Sequence, residues 1–169
     1  MDGFPVEAPV LKSLARFTGV VIVGQMITYF IVGILAQQVL GAADFYPPSP
    51  TALSYLRNPS DPDVFRWVLP AQAVRGLLFG LVLFPFRQRI VELGTLNGAL
   101  VVAGSVFVVG YVAASGGLIE HWVFFTEYPS RFAAITFVEV LIQAVVLGYI
   151  VARFAVRRPA TVQGKGSPR

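Results

Sequence analysis

Hydrophobic positions along this chain do not alternate with period two. They run almost unbroken for about twenty residues at a time, at four places: roughly 17–40, 69–86, 95–118 and 132–152. A helix of about 20 apolar residues crosses the ~30 Å hydrocarbon core of a bilayer. Lipid offers no partner to a bare peptide group, so each run predicts a helix, whose hydrogen bonds close within the segment. The pattern predicts an all-α membrane protein. Its architecture is expected to be a four-transmembrane-helix antiparallel bundle over 1–156, followed by a disordered cytoplasmic tail at 157–169. The first run follows Lys12 and Arg16 and ends at Gly41-Ala42-Ala43, as a cleavable signal would. At about 24 residues it is longer than the roughly 7–15 of a signal's apolar region, which makes it a first transmembrane helix.

The polar interludes carry their own punctuation. Residues 1–11, with Pro5 and Pro9, read as a short extended lead. Residues 41–68 hold Pro47, Pro48, Pro50, Pro59 and Pro62, and with 115–130 they are expected to form an extracytoplasmic cap. Within it, Pro50 followed by 51–57 predicts a short helical turn. Asp61-Pro62 predicts an N-cap and a first-turn proline, so the second helix should start near Pro62 and bend at Pro70. Tyr46, Tyr55, Phe65 and Trp67 would form an aromatic belt at headgroup level. The short link at 87–94 predicts that helices two and three are antiparallel neighbours. Residues 115–130 are too apolar for a plain loop and too short to span, and are expected to lie along the outer membrane surface.

Composition agrees with this reading and removes alternatives. The 169 residues are 56% hydrophobic and 13% charged, with a mean hydropathy of +0.71, whereas soluble domains carry about a quarter charged residues. Nine basic residues (Lys12, Arg16, Arg87, Arg89, Arg153, Arg157, Arg158, Lys165 and Arg169) fall on one side of the spans, against Arg57, Arg66 and Arg131 on the other. The positive-inside rule therefore places both termini in the cytoplasm. The net charge of +4 reflects this orientation and contact with anionic lipid, without a patterned patch for nucleic acid. Eleven arginines against two lysines suggest a GC-rich bacterial genome, hence the bacterial inner membrane. The absence of cysteine excludes disulfides, thiolate nucleophiles and Cys-ligated metals, and His121 alone cannot build a multi-His site. No nucleophile elbow, phosphate-binding loop or H-E-x-x-H is present, and neither an enzyme nor a cofactor is expected.

Charge inside a span is costly and is normally paired or turned to a wet cavity, which singles out Arg75 and Glu139. Arg75 lies eight residues beyond Trp67 and Glu139 eight beyond Arg131, so both sit about 12 Å deep at 1.5 Å per residue. Gln72, Gln143 and Gln25 fall at neighbouring levels. The expectation is a buried polar cluster of Arg75, Glu139, Gln143, Gln72 and Gln25, with the two charges paired between helices two and four. Small residues at helical spacing predict packing faces at Gly76 and Gly80, at Gly94 and Gly98, and at Ala144 and Gly148. The expected role is structural, assembly-related or partner-binding, in contact with the lipid bilayer and with a homo-oligomer or a larger membrane-protein partner. The alternative is a small-solute or ion-coupled transporter that uses Arg75 and Glu139.

Overall fold

A computed structural model of the protein describes residues 8–54, 56–112 and 130–155. Helix α1 spans Ala8–Val39, α2 Pro62–Leu83, α3 Arg87–Glu92, α4 Gly94–Phe107 and α5 Ser130–Ile150. Single turns of 3₁₀-helix occupy Ala42–Phe45 and Phe84–Phe86, while α4 and α5 continue as π-helical turns at Val108–Val112 and Val151–Ala155. Four helical stretches are long and apolar enough to cross a membrane: Pro9–Val39, Pro62–Glu92, Gly94–Val112 and Ser130–Ala155. Only 28–33% of each apolar window is buried within the chain. The remaining hydrocarbon surface faces outward over whole helix faces, far beyond the apolar patches that soluble monomers tolerate.

Helix boundaries reflect local chemistry. The Asp61 side chain accepts from the Asp63 backbone N–H at 2.9 Å, and Pro62 opens α2 where no donor is needed. α2 then runs through Pro70 to Leu83 as one helix. α1 begins at Ala8, so 8–11 are helical and not an extended lead; Pro9 falls in the first turn, where its missing N–H costs nothing. The link at 87–94 is itself the short helix α3. It turns into α4 at Gly94, whose φ of +75° suits glycine alone among common residues. The helical turn expected over 51–57 is replaced by turns: Leu53 donates to the Phe45 carbonyl and Thr51 Oγ1 to the Asp44 carbonyl, which folds the segment back on itself. The first seven residues, Tyr55, residues 113–129 with His121 and the segment expected along the outer surface, and residues 156–169 with the expected tail lie outside the described residues.

The helices pack in a definite order. α1 packs against both α2 and α5, and α5 packs against α4. One apolar core, including Phe17, Val21, Val102, Ala144 and Leu147, fills the space between these helices. A second joins Ala36, Phe45, Leu53 and Phe132 where α1 ends and α5 begins, with Arg131 of α5 paired to Asp44 at 3.1 Å above it. α2 and α4, the neighbours that the short link predicts, line a common cleft. Phe79 bridges them, its ring tip 3.3 Å from where a Cβ would stand on Gly110, and Leu83 and Val106 meet in the core.

Candidate functional site

Glycine spacing brings α1 and α2 together. Gln72, Gly76 and Gly80 recur every fourth residue and so share one face of α2. A Cβ on Gly76 would lie 2.6 Å from the Ile22 Cα, and one on Gly80 would lie 2.9 Å from the Thr18 Cα. Only glycine permits such backbone contact. One turn before Gly76, the same approach lets Gln25 donate from Nε2 to Gln72 Oε1 at 2.9 Å. Both amides are buried, with 4% and 7% of their surface accessible. The pair bridges two helices and satisfies polar groups that apolar surroundings would otherwise leave bare.

On the other flank of α1, Glu139 of α5 accepts from Gln143 Nε2 at 3.0 Å, one turn along the same helix. Its Oε1 stands 3.7 Å from the position a Cβ would take on Gly33, so this glycine makes room for the carboxylate against α1. Tyr29 lies one turn before Gly33 on α1 and is partly buried. Gln143 is buried, and with Gln25, Arg75 and Val140 it lines a void of about 20 Å³. That is room for about one water among polar groups.

Arg75 does not join Glu139. The ion pairs among the described residues are Arg89–Glu92 at 2.6 Å and Arg131–Asp44 at 3.1 Å. Arg75 is exposed and forms neither an ion pair nor a hydrogen bond with any described residue. The expected five-residue buried cluster is therefore two bonded pairs, Gln25–Gln72 and Glu139–Gln143, with Arg75 bordering the small void beside Gln25 and Gln143 but bonded to neither pair. Matched depth along two helices fixes only height. α1 stands between α2 and α5, and successive helical residues turn by about 100°, so Gly76 facing α1 directs Arg75 elsewhere. Arg75 points to the opening between α2 and α4, where Leu78 and Val82 of α2 and Ser105, Val109 and Gly110 of α4 line a largely apolar cleft of about 270 Å³.

The expected packing glycines divide on the same test. Gly76 and Gly80 serve α1–α2, and a Cβ on Gly98 would meet the Ile90 carbonyl at 2.7 Å. A Cβ on Gly148 would run into the Ala99 carbonyl, and Ala144 beside it on α5 is fully buried. Gly94 packs against nothing; its role is the positive φ. Three residues of the polar layer escape a search for charge. Tyr29 and Gly33 are visible only as further members of the i+4 series from Gln25, and Tyr111, whose hydroxyl lies 3.2 Å from Thr136 Oγ1 across α4 and α5, carries no distinguishing pattern. Among the described residues no three His, Cys, Asp or Glu side chains stand together as metal ligands.

No protein-family model matches the chain, and no curated protein or solved structure is similar to it.

Proposed function

We propose that this is a multi-pass protein of the bacterial inner membrane, a four-helix antiparallel bundle with both termini cytoplasmic and an outer cap built from 41–68 and 115–130. Its role is non-enzymatic and partner-binding: it assembles with another component of the membrane. The observation that carries this reading is Arg75, a permanent charge deep within a span that has no counter-charge among the described residues and opens onto an apolar cleft. A charge so placed is normally neutralised or wet, and the missing partner is supplied from outside the chain. The glycine faces support the same view by elimination. Gly76, Gly80, Gly98 and Gly148 are consumed inside the bundle, so association through them is replaced by association at the α2–α4 edge.

The test is photo-crosslinking in native membranes, with a benzophenone amino acid at Leu78 or Val109 in the cleft and, for comparison, at Val23 on the outward face of α1. The reading expects a discrete protein adduct from the cleft positions and none from Val23, together with a native assembly heavier than the 18.3 kDa chain. A chain that runs alone and yields no cleft adduct overturns it.

A second reading has one observation behind it. The Glu139 carboxylate accepts from Gln143, whose side chain lines a water-sized void, and stands beside Gly33. As the titrating group of a small carrier it would exchange a proton or cation without Arg75. Proteoliposomes loaded with a pH-sensitive dye test this: flux lost in Glu139→Gln supports it, and dye signal equal to empty vesicles overturns it.

A further inference from the structure

Arg75 lies eight residues from Trp67 and twelve from Arg87, about 12 Å and 18 Å along the helix from the two ends of its apolar stretch. The cleft extends from Arg75 toward Leu83, away from Trp67, between α2 and α4. Its walls are hydrocarbon, its edges carry the outward-facing Leu78, Val82 and Val109, and small residues at Ser105 and Gly110 leave the α4 wall low. The occupant must be apolar along its length and must present one negative or strongly accepting group deep in the bilayer.

Three occupants are conceivable, and the geometry separates them. A phospholipid keeps its phosphate at the headgroup level, so one that met Arg75 would have to sink by most of a leaflet. Its chains would then run past the midplane to fill the cleft. A second copy of this chain would need an acid at the right level. Glu139 is the only acid well inside any span, and it is turned to α1 and bonded to Gln143. A helix from a different protein has neither difficulty: it crosses the full thickness and sets a carboxylate at any depth. Resting on the partner-binding reading, we infer that the α2–α4 cleft of this protein receives a transmembrane helix of another protein carrying one Asp or Glu at the level of Arg75. A guanidinium presents a planar fork of donors that matches a carboxylate, and the pairing strengthens where water is excluded.

The test uses the purified full chain in phosphatidylcholine vesicles with a benzophenone amino acid at Val109. The probes are synthetic membrane-spanning leucine peptides with a central Asp, Leu or Lys. The Asp peptide is expected to crosslink about tenfold more than the Leu peptide, the order of one buried polar contact in a membrane. Arg75→Leu should abolish that preference while leaving the Leu-peptide background intact, and Arg75→Glu should transfer it to the Lys peptide. The two variants together guard against loss by misfolding, since a misfolded cleft would gain nothing for Lys. Equal labelling by Asp and Leu peptides overturns the inference, as does a preference that survives Arg75→Leu. Displacement of the Asp peptide by phosphatidylglycerol, with adducts moving to that lipid, also overturns it and assigns the cleft to an anionic headgroup. A native assembly that persists unchanged in Arg75→Leu overturns this inference alone. A chain without any native partner overturns the reading beneath it.

Discussion

Gln25 and Gln72 share a hydrogen bond of 2.9 Å, one helical turn from the point where Gly76 brings the backbones of α1 and α2 into contact. The two features depend on each other: without the glycine the amides are too far apart, and without the bond two buried amides face hydrocarbon. Replacing either glutamine by Leu should cost roughly 1–2 kcal/mol, since the surviving amide keeps its desolvation cost and loses its partner. The double replacement Gln25→Leu/Gln72→Leu should cost clearly less than the sum. Unfolding in mixed detergent micelles measures all three variants, and strict additivity would show that the bond is absent.

Gly76→Ala should destabilise by about 1–3 kcal/mol, because the added Cβ meets the Ile22 Cα, which cannot rotate away. Gly104 has open space around it, so Gly104→Ala should be neutral or stabilise by up to about 1 kcal/mol through helix propensity. Melting temperatures of the two variants in one detergent compare the sites directly. Equal effects would place the α1–α2 contact elsewhere.

A double-mutant cycle on Arg75→Leu and Glu139→Gln should give a coupling below about 0.5 kcal/mol, the level of independent sites. Arg75→Leu alone should leave the isolated chain as stable as before, or more so, since it removes a charge that pairs with no described residue from a largely apolar wall. A coupling of several times that size would restore the direct ion pair.

Arg131→Ala should cost no more than about 1 kcal/mol in detergent. Its partner Asp44 and the guanidinium are both exposed, and exposed pairs contribute little. The packing of the Arg131 guanidinium 5.8 Å from the Phe45 ring centroid adds a salt-insensitive part. Stability measured at low and high salt should therefore differ by less than the total effect of the substitution.

Much of the architecture was legible from run length alone. Four apolar stretches predicted four helices long enough to span, and Asp61-Pro62 marked the start of α2 to the residue. The glycine faces were legible too, because backbone contact between helices demands small residues at i+4. Azimuth and neighbour order were not. Rise per residue predicts a common depth for Arg75 and Glu139 but not which helix stands between them; that is decided by which faces interlock, and Gly76 and Gly80 pack against α1. The short link predicted that α2 and α4 would be antiparallel neighbours, and the two do line one cleft. Their closeness was not legible: Phe79 reaches Gly110, and Leu83 and Val106 share the core, while the rest of the edge stays open as the cleft.

Arg75 is exposed at the open α2–α4 edge. Because the chain lacks cysteine, single cysteines at 75, Leu78, Val102 and Leu147 can each carry a spin label in vesicles, with collision by dissolved oxygen read from power saturation. The account predicts that the label at 75 matches the one at Leu78, which is 57% exposed, and far exceeds those at Val102 and Leu147, which are 0% and 1% exposed. A label at 75 as sheltered as the one at Val102 would contradict it.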